Sequence, residues 1–480
     1  MNPPSNAPRT IGITVLGDYI LSDGIDTVLE NLHGAGATAV ACNPTVTAAA
    51  NEGEGSFQPP IDAGASVREF DRPLFGRKSL WVRSGVSYQP RTEFYRDSPY
   101  QPRQPNDLTA TYGPLIGEFV RQAAASGLKV YMQLAAVQPS GLRDEDRPRL
   151  PDGRIPVNRM ADTGSLASPA IRAYNRAYAR DLLAEYPELA GFRIDWPEYP
   201  CYTLGEVFQD FGPHVARWSA NHGIAFAPLR NAAQRWYSML HGGLTNEMLE
   251  CWLDSSQNND DESIGLIDRM AADHPEGQTI LQLKASLSQD LLADWRSIVS
   301  EFGGQDFELS GHAFMWPYSQ VTGFDFTTSQ RSCDSVSPKL YTMHWSLMME
   351  FWGREILNAN PGLDEALLVR FLEQVMELTD PVQERATTSS PRLLDTYGYP
   401  QPDEPHPVST ATQVQKLRAV QSRLPGGTAL WPLVHGYGPE DDFARRLDLA
   451  FSANVDGVWI NRYGYLSDEK LTHIKRRALA

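Results

Sequence analysis

Basic residues are in short supply. The chain has 42 Lys and Arg against 59 Asp and Glu, a formal net charge of -17, and the deficit holds along most of its length. A protein that grips phosphate backbones needs a basic face, so nucleic acid is not an expected partner and the acidic surplus reads as a solubility feature. Cysteine is scarce as well. The four, Cys42, Cys201, Cys251 and Cys333, lie far apart without a CxxC pair, which removes zinc knuckles and disulfide frameworks and fits a reducing compartment. No window approaches the roughly 18 apolar residues of a membrane span, and the opening MNPPSNAPRT lacks the apolar stretch of a signal peptide or anchor. The expectation is a soluble, cytoplasmic protein with no membrane partner. Absent too are HxH and HExxH spacings, so no metal and no cofactor is expected. Nothing in the sequence speaks to oligomeric state.

What is present is an alternation of strands and helices. Ile11 to Leu16 reads as a strand, Asp23 to Leu32 as a helix closed by Gly34 and Gly36, and Thr38 to Asn43 as a second strand. That spacing is a βαβ unit and implies a parallel sheet. Further strands are expected at 129–136, around 191–195, at 307–314, 336–344, 429–434 and 457–461, with Ile224 to Ala227 competing for the fifth place. Eight strands alternating with helices, and no Gly-rich phosphate turn after the first, predict an α/β fold of the (β/α)8 TIM-barrel class. Residues 1–10 read as a disordered tail and 11–480 as one catalytic domain. It carries two insertions. One, 44–107, is rich in Pro, Arg and Tyr and reads as a structureless lid or binding loop over the active face; the other, 204–304, reads as helical. Within the latter, Lys284 falls on a helical period and reads as a surface lysine.

In a barrel, chemistry gathers just after each strand. Those positions hold Asp18, Asn43, Gln133, then Asp195, Trp196 and Glu198, then His312 and Trp316, then Tyr341, His344 and Trp345, then His435, and finally Asn461, Arg462 and Tyr463. Rings that stack on sugar C–H faces, mixed with groups that donate and accept hydrogen bonds, suit a carbohydrate substrate. Glycosidic hydrolysis needs two carboxyls. Asp195, at a strand end, and Glu198, beyond a proline on the loop where a proton donor could reach an exposed oxygen, are the expected catalytic pair. Asp18 and Asp325 are alternative partners, whereas Glu308 and Asp334 precede their strands and belong to the opposite, stabilising end. The three histidines with Asp195 could form a metal site, and hydrogen bonding to sugar hydroxyls accounts for them better.

The motifs GFRIDWPEYPCY at 191–202, GFDF at 323–326, DSVSPKLYTMHW at 334–345 and DGVWINRYGYL at 456–466 together resemble glycoside-hydrolase-like TIM barrels, the broad group that includes bacterial family-10-like lipoproteins and many uncharacterised glycosidase-like chains. The likeness covers about half the chain. It implies a site around Asp195, with Pro338 and Tyr341 matching a Pro-x-x-Tyr sixth strand. GFRID alone also resembles the fourth strand of α-amylase-type enzymes, where Arg193 and Asp195 would match the supporting Arg and the nucleophile. The seventh strand ends in His435 and Gly436 instead of a His-Asp pair, and no Glu closes the fifth, so that mechanism is not carried over. A sugar-cleaving enzyme is the leading expectation. A metal-dependent hydrolase or isomerase, or a non-catalytic sugar-binding barrel, are the alternatives.

Overall fold

A computed structural model describes residues 9–60, 68–157, 159–257, 265–273, 275–378 and 392–479. Most of the expected tail, residues 1–8, lies outside these. The strands in chain order are β1 (Thr10–Thr14), β2 (Ala39–Cys42), β3 (Thr45–Ala49), β4 (Ser56–Gln58), β5 (Leu80–Val86), β6 (Lys129–Ala135), β7 (Gly191–Asp195), β8 (Glu308–Phe314), β9 (Ser335–Leu340), β10 (Ala429–Leu430), β11 (Leu433–His435) and β12 (Gly457–Asn461). Nine of them form one sheet in the order β10-β9-β11-β12-β1-β2-β6-β7-β8, and a β8–β9 pairing closes it. Every pairing in it is parallel. β10 and β11 both pair with β9 and are two pieces of one barrel strand. Pro432 sits between them and has no N–H to give the ladder. The fold is therefore a (β/α)8 barrel.

The helices between the strands start where the local sequence says they should. Asn106 caps Asp107–Ala125 in a capping box with Thr109, and Ser168 caps Pro169–Glu185, which opens on a proline. Inside the barrel the lower layer is aromatic. The Trp459 ring lies 5.5 Å from that of Tyr131 and 6.4 Å from that of Trp431. It can lie across the axis because β1 supplies Gly12 beneath it; a Cβ there would come within 2.2 Å of the indole.

Several expectations are corrected. The insertion at 44–107 is not structureless: β3, β5 and β4 form an antiparallel sheet, hidden from view because its strands are short and broken by Pro and Gly. Ile224 to Ala227 is no strand, since the helix Phe226–Ser238 begins within it. The sixth barrel strand stops at Leu340, and Thr342–Ala359 is already helix, so His344 and Trp345 project from a helical turn. In the insertion at 204–304 the described segments are helical, as expected, but Lys284 is 3% exposed and its Nζ donates to the carbonyls of Val207 and Val321. The helix Pro275–Phe302 keeps an exposed side at Gln282, Ala293 and Ser297, but Lys284 shares the buried side with Leu283, Leu287 and Leu291. No helix among the described residues is long and apolar enough to cross a membrane.

Gly12→Ala is expected to lower stability by about 1–3 kcal/mol, the cost of overpacking a filled core. Urea unfolding followed by tryptophan fluorescence checks this, and an unchanged midpoint would mean that Trp459 does not depend on the glycine.

Candidate active site

Side chains alternate along a strand, so Arg193 and Asp195 of β7 both point into the barrel. Arg193 is fully buried. Its Nη2 donates to Ser337 Oγ at 3.1 Å, its guanidinium lies 3.5 Å from the Trp459 ring centre, and burial pulls it down to about 9. Among the described residues no carboxylate forms an ion pair with it.

Asp195 sits one layer higher, at the mouth, with 18% of its side chain exposed. Its Oδ1 lies 2.6 Å from Lys339 Nζ and 3.9 Å from His312 Nδ1, and accepts the Trp196 N–H at 3.1 Å. Its Oδ2 accepts no hydrogen bond from any described residue. The ammonium of Lys339 also lies 4.9 Å from the Trp196 ring centre and 5.0 Å from that of Phe314, a favourable place for a cation. Trp196 itself has φ of 51°, a left-handed conformation that a bulky residue adopts only under constraint and that clusters at functional sites.

Lys339 is the residue that sequence reasoning misses. Within VSPKLYTMH it reads as a lone polar residue in an apolar strand. The available signal was its parity: Ser337 and Lys339 share a face of β9, and that face is the barrel interior. His312 is fully buried beside this pair and held well below the ordinary histidine range, first by burial and then by Arg193 and Lys339. It is a neutral imidazole.

Around the mouth, Asn461 Nδ2 donates to the Tyr341 hydroxyl at 2.7 Å. The Tyr341 ring meets those of His435 and His344 edge-on, at 5.0 and 5.4 Å. His435 Nδ1 accepts the Tyr437 N–H at 3.1 Å, and burial lowers its pKa well below the usual value, so its proton sits on Nε2. Asp18, 4% exposed, accepts the Tyr19 N–H at 2.8 Å; burial pushes its carboxyl up while Arg462 opposes the rise. Arg462 donates to Gln58 Oε1 at 3.2 Å and lies over the Phe70 and Tyr465 rings. The insertion after β2 thus reaches this mouth through Gln58 and Phe70. Gln133, in register with Arg193, points into the barrel beneath, its Oε1 buried without a hydrogen-bond partner.

Four expected binding residues serve elsewhere. Asn43 accepts the Gly17 N–H at 3.1 Å and donates to Thr45 Oγ1 at 2.5 Å, tying two strand-end loops together. Trp316 donates to Glu377 at 3.3 Å beneath the Arg423 guanidinium. Trp345 is buried near Tyr318 and Lys416, because the helical turn aims it into the core. Tyr463 is buried between Asn31 and Asp23, facing the helix Ile25–Gly34. At the opposite end of the barrel Glu308 pairs with Lys129 at 2.5 Å and Asp334 with Arg296 at 2.5 Å, as their positions ahead of the strands require.

The expected exposed placement of Glu198 is also corrected. It is fully buried; Oε1 accepts the Phe314 N–H at 2.5 Å and Oε2 the Thr322 hydroxyl. The loop turns under the end of β8 in place of rising over the mouth, with Pro197 O held by Ser288 at 2.7 Å and the Tyr199 N–H by Thr322 O at 3.1 Å. Burial raises the carboxyl to about 7 against its hydrogen bonds and Lys339, with Asp195 adding to the rise. Because the folded pKa lies above the unfolded value of about 4.3, the folded chain holds an extra proton between the two. Its contribution is complete below about 4.3 and fades as pH rises toward 7. Glu198→Gln is expected to flatten the fall of unfolding free energy across pH 4.5–7 by the about 3 kcal/mol that this one group contributes. Urea melts at several pH values measure it, and equal slopes in the two proteins would sink the assignment.

Among the described residues no group of three His, Cys, Asp or Glu side chains is placed to hold a metal ion. No protein-family model and no curated protein matches the chain. Solved structures with a related chain course include a β-galactosidase from the psychrophilic Marinomonas ef1, at 12% identity and TM-score 0.49, matched over 98% of this chain and 59% of that one. The present chain therefore spans under two thirds of that protein. Others are the catalytic domain of a β-amylase from Paenibacillus polymyxa, at 11% identity and TM-score 0.46 over 97% of both chains, and the Ostrinia furnacalis group IV chitinase, at 8% identity and TM-score 0.42 over 98% of this chain and 100% of that one. With TM-scores below 0.5 these likenesses carry no argument about chemistry, and the barrel stands on its own strand order.

Proposed function

We propose that the chain is a glycoside hydrolase or transglycosidase that cleaves an oligosaccharide glycosidic bond, with Asp195 as the reacting carboxylate. The observation that carries this reading is the asymmetry of that carboxylate. Oδ1 is fixed by Lys339 and the Trp196 N–H, while Oδ2 has no partner among the described residues at the carboxyl mouth of the barrel. A nucleophile or base needs one oxygen held and one free, because a pre-oriented group avoids the entropic cost of being positioned in the transition state. The surrounding Trp196, Tyr341, His344 and His435 offer ring faces and edges to a sugar, and Asn461 and Arg462 offer donors.

The proton donor in this reading is Asp18. Its carboxyl is raised by burial, as a general acid requires, and it stands near Arg462 in the short helix Gly17–Asp23 that follows β1. Glu198, with both oxygens engaged, anchors the loop that carries Trp196 and shapes the field at Asp195. A non-catalytic sugar-binding barrel is the second reading, favoured by the sequestering of Glu198, which leaves the mouth without a second open carboxylate on β7.

Asp195→Asn is expected to lower kcat/KM on a cleaved glycoside at least about 100-fold while the circular dichroism spectrum is kept; unchanged turnover would refute the role. Screening nitrophenyl glycosides and natural oligosaccharides finds the substrate. Binding of intact glycans without cleavage over long incubation would establish the second reading in place of the first.

A further inference from the structure

Away from the barrel mouth, the helices Leu204–Val207, Phe226–Ser238, Leu266–Asp273, Pro275–Phe302, Thr342–Ala359 and Glu365–Val375 line a partly open pocket of about 170 Å³. Its wall is apolar, with Phe208, Trp236, Leu240, Ile280, Trp352 and Phe371 prominent, and among the described residues Lys284 is its sole titratable lining residue. A cavity of about 150 Å³ lined by aliphatic and aromatic side chains stays dry and takes up benzene, so this one has room for a monocyclic ring. Two of the three ammonium protons of Lys284 go to Val207 O and Val321 O, and no described carboxylate forms an ion pair with it. Burial pulls the group down to about 8, with Cys201, Glu198, Asp210 and Glu206 opposing. Lys416 also binds two carbonyls, those of Trp316 and Met376, but it does not line this space. A buried cation with no carboxylate at ion-pair distance among the described residues, at the edge of an apolar chamber, favours an occupant that brings a negative charge into contact with it.

We infer that the helical insertion holds a second binding site, distinct from the barrel mouth, for a small apolar carboxylic acid of about monocyclic-aromatic size, with its carboxylate paired to the ammonium of Lys284. The inference does not depend on the glycosidase reading.

The test uses the full chain and three probes: benzoate, 4-fluorobenzoate and the uncharged match toluene. Calorimetry with benzoate and fluorine NMR with 4-fluorobenzoate are expected to show saturable one-to-one binding with a Kd below about 1 mM, and quenching of tryptophan emission, since Trp236 and Trp352 line the chamber. Lys284→Met should weaken benzoate at least about tenfold, the loss of a charge-assisted hydrogen bond, and leave toluene within about twofold. Ala233→Phe, which fills the chamber, should abolish both, with circular dichroism confirming that it is folded. The wild-type titration decides without either variant: absence of saturation by benzoate, or binding of toluene alone, overturns the proposal. So does an unchanged benzoate affinity in folded Lys284→Met.

Discussion

A guanidinium at the centre of the barrel sets the terms for everything above it. Arg193 is wholly buried and rests on the face of Trp459, and Trp459 can offer that face because β1 has no side chain at Gly12. Removing a charge from water without a paired carboxylate is costly. Here the cost is met in part by the indole quadrupole and Ser337, and the charge lowers the affinity of neighbouring His312 for a proton. The layer beneath the mouth therefore holds a cation and a neutral imidazole, and the next inward position of the same strand, one layer higher, is Asp195.

The mouth follows from that arrangement. Asp195 faces a second cation, Lys339, from the sixth barrel strand, and the two strands are held apart by β8, in register with both. Beyond Asp195 the backbone turns through the left-handed conformation of Trp196 and dives under β8, where Glu198 closes the turn. Strain in one residue and burial of a carboxyl in another are local costs. Both are sustained because the loop is tied down at Pro197, Glu198 and Tyr199.

Much of this was legible in the residues. Runs such as GFRID and GVWIN alternate apolar residues that face the helical layer, Phe192 and Ile194 or Val458 and Ile460, with the residues that line the barrel interior, and all eight barrel strands fall within a few residues of where the pattern puts them. The site was legible as far as strand ends go, which is why Asp195, Tyr341, His435 and Asn461 come together. Direction was less visible. Trp345 and Tyr463 follow strands and yet turn outward or coreward, because a residue or two beyond the strand the chain is already helical or 3-10 and the inward–outward alternation has lapsed. Burial of Glu198 depends on contacts with Phe314 and Thr322, more than a hundred residues away, and no local pattern carries it, whereas the inward face of Lys339 follows from strand parity with Ser337.

One further feature concerns amines. The chain has seven lysines, and Lys284, Lys339, Lys416 and Lys470 are each 3% exposed or less, where lysine is almost never found. Lys470 resembles Lys284 and Lys416 in clasping carbonyls, those of Gly436, Gly438 and Tyr465, and adds Asp71. These ammoniums act as cross-braces between loops. Only Lys78, Lys129 and Lys475 offer a side-chain amine to solvent, so acylating reagents, cross-linkers and lysine-modifying enzymes meet a folded surface with few handles, and most of its lysine chemistry opens only when the braces let go.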